Sequence, residues 1–312
     1  MSLGSSVNAL FRKGILTAAS SPLVQGVVDR YGMQLGASRF VAGSTLEEGL
    51  AVLHDLERAG FKTNTALLGE GVDDEMVAAQ VVDEYIDLLN RLDAEGLGTI
   101  ISLKLSHLGL DIGEDTAYRN VTRIVEHAAQ FGRFVRIDME ESWRVDTTLL
   151  IYRNLRQSGH DNVGTVLQSY LYRSMRDLKT FIEFQPNLRI VKGAYLESQE
   201  VAFPSKRDVD VNYLKLAKYS LAHGGYTAIA THDERIIEHL IEYTTRNDIG
   251  TERFEFQMLY GIESRLQQSL LDRGYTVLVS TPFGPDWYPY LMRRLAERPA
   301  NLLFVAKNLF PS

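Results

Sequence analysis

The chain has 312 residues, of which 45% are hydrophobic and 23% are charged, a composition typical of a globular protein with a large core. Its formal net charge of −7 leaves no basic excess for phosphates, which argues against a nucleic-acid partner. The absence of cysteine excludes disulfides, thiolate metal sites and a cysteine nucleophile, and it fits a cytoplasmic protein.

The first residues show neither an export signal nor a membrane span. The start, Met1-Ser2-Leu3-Gly4-Ser5-Ser6, lacks the basic region and apolar core of a signal peptide. No apolar run approaches the roughly 20 residues that cross a bilayer, although peripheral contact through an amphipathic helix stays open. We expect residues 7–30 to form one or two short helices. They belong to an N-terminal helical addition of about residues 1–44, ahead of a single domain that runs to residue 312.

From residue 45 onward, a short β-rich run followed by an amphipathic helix recurs eight times without any repeated sequence. Thr45 and Glu48 predict a capping box at the start of a helix over about 46–59. The predicted strands are 62–68, 99–104, 134–139, 163–168, 188–193, 226–231, 254–259 and 275–280. The helices that follow them are predicted over 74–95, 115–131, 144–158, 172–183, 209–223, 233–246 and 262–272, with a last helix that has Pro289 in its first turn.

This alternation predicts an α/β protein with a parallel sheet, and eight units favour a closed (β/α)8 TIM barrel over an open sheet. Neither G-x-G-x-x-G nor the P-loop pattern is present, which weakens the open-sheet nucleotide-binding folds. No linker rich in Gly, Ser or Pro indicates a second domain. The sequence therefore predicts one barrel over about 45–312.

Polar residues stand where the predicted strands end, and active sites of such barrels lie at these ends. They are Glu70, Lys104, Asp138, Gln168, Lys192, Thr231 and His232. Any one of them alone is better explained as a polar residue satisfied in a loop. Together they predict a site, in which the charges of Lys104 and Asp138 neutralise one another or a bound anion, because a buried unpaired charge is costly.

The last helix places Tyr290, Arg293 and Arg294 on one face, at i, i+3 and i+4. Two guanidinium groups beside an aromatic ring suit a small ligand with a carboxylate and an apolar body. The alternative is a solvated helix with exposed arginines. Because strand 1 closes against strand 8, we expect Glu70 to pair with Arg293 and to latch this helix over the barrel mouth.

The fifth strand ends in Gly193-Ala194, which removes side-chain bulk and lets the backbone approach a large ligand. Backbone N–H groups there are suited to phosphate oxygens, although an ordinary strand-to-loop glycine explains the pattern as well. His232 is a candidate metal ligand or phosphate contact. His239 follows seven residues later, but no ligand cluster with metal-site spacing accompanies the two, so we expect no catalytic metal.

Eight segments together resemble the proline dehydrogenase family, which includes the first catalytic domain of the bifunctional proline utilization A proteins. They fall in the family's order from about residue 62 to the C-terminus, and the chain length resembles the bacterial monofunctional type. The segments are Leu68–Glu70, Ser102–Ser106, Ile137–Glu140, Val166–Leu171, Arg189–Tyr195, Thr231–Asp233, Phe254–Gly261 and Tyr290–Glu297.

The resemblance implies a distorted barrel that holds FAD non-covalently and oxidises L-proline to Δ1-pyrroline-5-carboxylate, the first step of proline catabolism, with electrons passed to a membrane quinone. Proline would contact Lys104, Tyr195, Leu259, Tyr290, Arg293 and Arg294, with Asp138 orienting its polar side. Arg189 would lie near the reactive flavin nitrogen. FAD would also contact Met139, Gln168, Val191, Lys192, Gly193, Ala194, Thr231 and His232, and Lys206 is a further candidate. Some family members carry tryptophan where Leu196 follows Tyr195 here.

Two other classes stay open from the residues alone. A Schiff-base lyase on a barrel also places a lysine and an acid at strand ends, and Lys104 or Lys192 with Asp138 would serve. A barrel that only binds an amino acid predicts binding without turnover. The quinone partner implied by the resemblance would bring the protein to the inner face of the cell membrane as a peripheral protein.

Overall fold

The computed structural model describes residues 39–297, with side chains through Met292. Its eight strands form a closed barrel in which each strand pairs in parallel with the next and the last pairs with the first. The strands are β1 (Lys62–Leu67), β2 (Ile100–Leu103), β3 (Val135–Ile137), β4 (Val163–Gln168), β5 (Asn187–Val191), β6 (Tyr226–Ala230), β7 (Phe254–Leu259) and β8 (Val277–Phe283). The predicted (β/α)8 architecture is therefore confirmed.

Helices flank the barrel and connect successive strands. They are α1 (Leu46–Arg58), α2 (Glu75–Ala94), α3 (Glu114–Gln130), α4 (Val145–Gln157), α5 (Ser174–Phe181), α6 (Lys206–His223), α7 (Glu234–Arg246), α8 (Ser264–Asp272) and α9 (Trp287–Glu297). The predicted capping box is present, since Glu48 N–H donates to Thr45 Oγ1 at 3.3 Å and the Glu48 carboxylate accepts from the Thr45 N–H. Pro289 lies in the first turn of α9, as its missing N–H requires.

Several predicted boundaries, including those of β3, α5 and α8, were wrong by two or three residues, and β5, β8 and α6 show physical reasons. β5 ends at Val191 instead of Gly193, because Gly193 takes a φ of +114° that no strand residue adopts. β8 covers Val277–Phe283 instead of 275–280; Tyr275 N–H still bonds back to Leu270 at the end of α8. α6 begins at Lys206 rather than at 209, so that Lys206 and Asp210 form an i,i+4 pair in its first turns.

The protein has an apolar layer between strands and helices and a polar interior inside the barrel. Between strands and helices, apolar side chains are fully buried, as on α2, where Val82, Tyr85, Leu89 and Leu92 share one face. Inside the barrel, the inward-facing positions of several strands are polar or charged, and they are Asn64, Ser102, Arg136, Arg189, Glu255 and Gln257. The apolar layer stabilises the fold. The polar side chains inside the barrel lie below the C-terminal strand ends, where the cavity opens.

The helices predicted over 7–30 lie outside the described residues. Between residues 39 and 297, no helix combines the length and the apolar content needed to cross a bilayer.

Candidate active site

A cavity of about 820 Å³ opens at the C-terminal ends of the strands. Such a volume lies in the range of small-molecule and cofactor sites. Apart from Glu70, every sequence-predicted site residue whose side chain is described lines it: Lys104, Asp138, Met139, Gln168, Arg189, Val191, Lys192, Gly193, Ala194, Tyr195, Thr231, His232, Leu259 and Tyr290. Lys206 also lines the cavity. The strand-end residues therefore converge at one place, as the barrel argument requires.

Arg189 forms the centre of the buried part of the site. Its Nη1 donates to Asp138 Oδ1 at 2.7 Å, and its Nε donates to Gln257 Oε1 at 2.5 Å. Its Nη2 donates to Ser102 Oγ at 3.2 Å, and Gln257 in turn donates to the buried Glu255 carboxylate at 2.5 Å. Because the guanidinium has partners on β2, on β7 and at the residue that follows β3, its plane and position are fixed.

The alternation of β5 explains why this arginine faces inward. Leu188 and Ile190 point into the apolar outer layer and are fully buried there, so Arg189 and Val191 face the barrel axis. A second arginine, Arg136 on β3, lies fully buried inside the barrel. Burial, together with the charge of Arg189, lowers the pKa of Arg136 to about 9. The carboxylates of Glu255 and Asp138 act in the opposite direction and offset the two positive charges.

Arg136 occupies space that a glycine leaves open. Its Nη1 donates to the carbonyls of Asn187 at 2.7 Å and Thr165 at 3.2 Å, and its Nη2 donates to Asn187 Oδ1 at 2.6 Å. A Cβ on Gly164 would lie 2.7 Å from Arg136 Nη1 and 2.4 Å from the Asn187 carbonyl oxygen. The absence of a side chain at Gly164 therefore allows the buried arginine to fit.

A second charged cluster lies at the outer edge of the cavity, and we name it the lysine cluster. Lys192 Nζ lies 2.6 Å from Asp210 Oδ1 and 3.0 Å from Asp233 Oδ2. Lys206 Nζ lies 2.6 Å from Asp210 Oδ2 and 3.5 Å from Asp233 Oδ2. Burial works against ionisation of Asp233, but its hydrogen bond to Lys192 and the charges of both lysines outweigh that effect and lower its pKa.

Lys104 enters the cavity from the end of β2, beside the buried His107. Burial and, after it, the nearby charge of Lys104 lower the pKa of His107 to about 4, while Glu70 acts in the opposite direction. The imidazole packs so closely under Gly69 that a Cβ there would lie 2.2 Å from His107 Nε2. His107 is therefore neutral at neutral pH and leaves the positive charge in this corner to Lys104.

The β3–α4 loop, residues 138–144, forms one wall. The buried Glu140 accepts hydrogen bonds from the N–H and the hydroxyl of Ser106, and burial raises the pKa of its carboxyl group. Gln168 at the end of β4 donates to the Glu140 carbonyl at 2.8 Å. These bonds fix the segment that carries Asp138 and Met139 to two neighbouring strands.

The β5–α6 loop, residues 192–205, forms another part of the wall. Gly193 lets the chain turn away from β5 with Tyr170 packed directly against its Cα, since a Cβ would lie 2.4 Å from that ring. Ala194 and Tyr195 then face the cavity. Small residues therefore bring backbone next to the cavity at this point, as the Gly193-Ala194 pair predicts.

His232 supports the end of β7. The Leu259 N–H donates to His232 Nε2 at 2.9 Å, which requires a lone pair on that nitrogen. Among the described residues, no group of three or more His, Asp or Glu side chains is placed to hold a metal ion. The geometry assigns His232 to holding the strand end and gives no support to its role as a metal ligand.

α9 lies over the mouth through an apolar face. Trp287, Tyr288, Leu291 and Met292 are buried against Phe40, Val41, Leu68 and Ile262. Tyr290 lies on the side of the helix that lines the cavity. The side chains of Arg293 and Arg294 lie outside the described ones, so the predicted carboxylate clamp and the Glu70–Arg293 pair stay predictions. Glu70 itself is exposed and does not line the cavity.

Sequence reasoning missed several partners of the predicted residues. Gln257, which accepts a hydrogen bond from Arg189, stands two residues before Leu259. Because strand side chains alternate, this spacing predicts that Gln257 and Leu259 share one face of β7. Asp210 stands four residues after Lys206, an i,i+4 signal for an ion pair. Ser102 stands two residues before Lys104, which predicts the same face of β2, but only the barrel register brings it to Arg189.

Comparison with known proteins gives one consistent family. A sequence model described as proline dehydrogenase matches residues 50–307. The proline dehydrogenase of Deinococcus radiodurans is 44% identical over 307 residues, covering 97% of this chain and 99% of that protein. Proline dehydrogenase 1 of Bacillus subtilis strain 168 is 43% identical over 279 residues, covering 89% of this chain and 92% of that protein.

A more distant similarity extends to larger proteins. The crystal structure of proline utilization A from Bdellovibrio bacteriovorus, inactivated by N-propargylglycine, superposes with a TM-score of 0.80 at 25% identity. The match covers 88% of this chain and 34% of that one, so the chain spans about one third of the length of this solved relative. The bifunctional protein PutA of Escherichia coli K12 is 27% identical over 348 residues, which is 26% of its length.

Proposed function

The chain belongs to the proline dehydrogenase family, and on this basis we propose that it oxidises L-proline to Δ1-pyrroline-5-carboxylate with bound FAD and passes the electrons to a quinone. The observation that carries the proposal is the convergence of Lys104, Asp138, Arg189 and Tyr195 on one cavity at the strand ends. We further propose that residues 45–312 form a single barrel domain and that residues 1–44 are its N-terminal addition.

The proline end of the cavity lies between β2, β7 and α9. Lys104 supplies a positive charge for the substrate carboxylate, and Leu259 and Tyr290 supply apolar surface for the pyrrolidine ring. Arg293 and Arg294 are proposed to complete the carboxylate site from the next turn of α9, with Glu70 as a gate that pairs with Arg293. A clamped carboxylate and a packed ring leave the substrate one orientation, which is the largest contribution that a binding site makes to such a reaction.

The residues present fit FAD. The cavity continues past Arg189 to Gly193 and Ala194, where backbone lies at its wall, and then to the lysine cluster, whose cations are suited to a pyrophosphate. Met139, Gln168, Val191, Thr231 and His232 line the space between these ends. We propose that these residues hold the isoalloxazine, the ribityl chain and the adenine end.

Oxidation of proline removes a hydride from the ring carbon next to nitrogen and a proton from the nitrogen, which leaves a C=N bond. When bound, FAD supplies the two-electron acceptor. Arg189, fixed by Asp138 and Gln257, places a positive charge where negative charge develops during the reaction. Asp138 balances that charge and orients the polar side of the substrate. Lys104 holds the carboxylate, and Tyr195 closes the apolar side.

An absorbance spectrum of the purified protein, before and after anaerobic addition of L-proline, tests this proposal. We expect flavin bands that bleach with L-proline and not with L-pipecolate added at equal concentration as a ring-size control. Bands that persist with proline would assign another substrate. A colourless protein that does not take up FAD, and that borohydride inactivates together with a carbonyl substrate, would favour the Schiff-base lyase.

The quinone and the membrane need a separate experiment. We propose that a quinone accepts the electrons at the inner face of the cell membrane, because the resemblance implies a membrane-dissolved acceptor. Reduced enzyme mixed anaerobically with vesicles that contain a quinone should recover its flavin spectrum, and quinone-free vesicles provide the control. Flotation with the same vesicles measures attachment, and protein that stays wholly at the bottom of the gradient would contradict stable peripheral binding.

A further inference from the structure

The β3–α4 and β5–α6 loops both line the cavity, and they are in direct contact with each other. The first carries Asp138 and Met139, and the second carries Ala194 and Tyr195. Each loop therefore contributes part of the lining, and the position of one loop relative to the other affects how a ligand fits.

One side chain joins the two loops. The Glu197 carboxylate accepts from the Ser142 N–H at 2.7 Å through Oε1, and from the Ser142 hydroxyl at 2.6 Å through Oε2. Ser142 begins a short 3₁₀ segment, Ser142–Arg144, that continues directly into α4. The first N–H groups of a helical segment have no acceptor within it, so a carboxylate from another loop satisfies one of them and is favoured by the helix dipole.

The β3–α4 loop is the fixed side of this contact. Glu140 is buried and held by both polar groups of Ser106, while its carbonyl accepts from Gln168. Arg144 pairs with Asp111, donating at 3.0 Å from its Nε. The position of Ser142 is therefore set by contacts on both sides of it in the chain.

The β5–α6 loop is the side whose position the contact stabilises. Backbone hydrogen bonds hold it near its two ends, from Tyr170 N–H to the Lys192 carbonyl at 2.9 Å and from Phe203 N–H to the Tyr170 carbonyl at 2.8 Å. Tyr172 adds two bonds near the second end, since its N–H donates to the Val201 carbonyl at 3.1 Å and its hydroxyl donates to the Gln199 carbonyl at 3.0 Å. The stretch between these bonds, residues 193–198, contains Ala194 and Tyr195, which line the cavity. Glu197 lies within this stretch, two residues after Tyr195, with the exposed Leu196 between them.

We propose that Glu197 is a positioning residue, which clamps the β5–α6 loop to Ser142 and thereby fixes Tyr195 against the substrate. This inference rests on the proposed proline oxidation for the role of Tyr195. The clamp itself, a carboxylate bonded twice to one serine, does not depend on the reaction. Without it, part of the binding energy of the substrate is spent on ordering the loop.

Four variants test the clamp with FAD kept saturating. Glu197→Ala removes both hydrogen bonds, and Glu197→Gln keeps an acceptor for the Ser142 N–H and a donor for its hydroxyl. Ser142→Ala removes one of the two bonds. Glu200→Ala is the matched control, because Glu200 is exposed in the same loop and makes no hydrogen bond or ion pair with the described residues.

We expect Glu197→Ala to raise KM for L-proline about tenfold and to leave kcat within about twofold, since loss of an ordered loop weakens ground state and transition state alike. Glu197→Gln should recover most of the loss, and Ser142→Ala should lie between. Adding Ser142→Ala to Glu197→Ala should change nothing further. An unchanged KM in Glu197→Ala, or an equal rise in Glu200→Ala, would overturn the proposal.

Chymotrypsin cleavage after Leu196 gives a second readout that requires no turnover. Cleavage of the Glu197→Ala protein should be several-fold faster than that of the wild type, and Glu200→Ala should match the wild type. Equal rates in all proteins would refute the clamp. If wild-type protein does not oxidise proline but cleavage still accelerates in Glu197→Ala, the proposed function fails while the clamp stands.

Discussion

The two charged clusters of the cavity have similar distances and different access to water. Arg189 meets Asp138 at 2.7 Å with only 9% of the arginine side chain exposed. Lys192 meets Asp210 at 2.6 Å with 27% of the lysine side chain exposed, and Lys206 in the same cluster is 74% exposed. Distance alone therefore does not tell how much each ion pair contributes.

The buried arginine needs a full set of hydrogen-bond acceptors. A guanidinium removed from water needs a partner for its N–H groups, and Asp138, Gln257 and Ser102 supply them. The lysine cluster is partly hydrated, so its pairs are weaker and can exchange a carboxylate for another anion at small cost. This difference suits a fixed reaction centre at one end and an adaptable phosphate site at the other.

Removal of the buried charge should have the largest effect. We expect Arg189→Met to lower kcat by about 10²- to 10³-fold, the usual loss for one positioned charge at a reaction centre, and Arg189→Lys to recover little because it cannot reach three partners. Steady-state kinetics with saturating FAD measure it. Arg176→Met is the control, since Arg176 has 73% of its side chain exposed. A loss below about threefold would show that Arg189 is not needed for the chemistry.

The sequence predicted the positions of these clusters better than their contents. Strand ends converge in any closed barrel, so Lys104, Asp138 and Lys192 could be assigned to one mouth from the spacing of the strands alone. The contact of Arg189 with Gln257 joins residues 68 positions apart, and that with Ser102 joins residues 87 positions apart. Such contacts depend on the stagger of neighbouring strands, which local patterns do not encode.

The Glu197–Ser142 contact shows the same limit in loops. Its residues are 55 positions apart, and no single element contains both, so no local period relates them. By contrast, the sequence predicts the capping box of Thr45 and Glu48, because both partners lie within one helical turn. Local hydrogen bonds could therefore be predicted, and those between loops could not.

His107 is a buried ionisable group without a strong counter-charge, and it makes stability depend on pH. Its folded-state pKa of about 4 lies below the ordinary value, so the unfolded chain binds a proton first as the pH falls. Stability from this group is therefore complete above about pH 6.5 and falls by about 3 kcal/mol as the pH decreases to 4.

Urea unfolding at pH 4.5, 5.5 and 7.5 measures that slope. In His107→Asn, which does not titrate, the difference in stability between pH 7.5 and 4.5 should be smaller than in the wild type by about 2 kcal/mol. Other groups that titrate in this range, including Glu140, are common to both proteins and cancel. Parallel pH profiles for the two proteins would mean that His107 is already hydrated or charged in the folded state.

Removal of a lysine should have a moderate effect, graded by burial. We expect Lys192→Met to weaken FAD binding to the apoprotein about tenfold, and Lys206→Met to weaken it about threefold, because Lys206 is mostly in water. Titration with FAD and with ADP by calorimetry measures both, and kcat at saturating FAD should not change. Equal losses for the two lysines would contradict a grading by exposure.

Replacement of Asp233 should have the smallest effect on stability. The direction in which that effect changes with pH distinguishes an ion pair from a simple polar contact. Its pKa is lowered in the folded protein, so its contribution to stability is present above the ordinary aspartate value of about 4 and is lost as the pH falls through the lower folded value. At pH 7 we expect Asp233→Asn to cost less than about 1 kcal/mol, because the pair is partly hydrated. The difference between variant and wild type should shrink in 1 M NaCl, where the Debye length is about 3 Å, and disappear once the pH falls below the lowered pKa of the folded state. A difference that grows on acidification would instead mean that the protonated carboxyl group is the form the fold prefers, and the lysine cluster would then be held by hydrogen bonds rather than by charge.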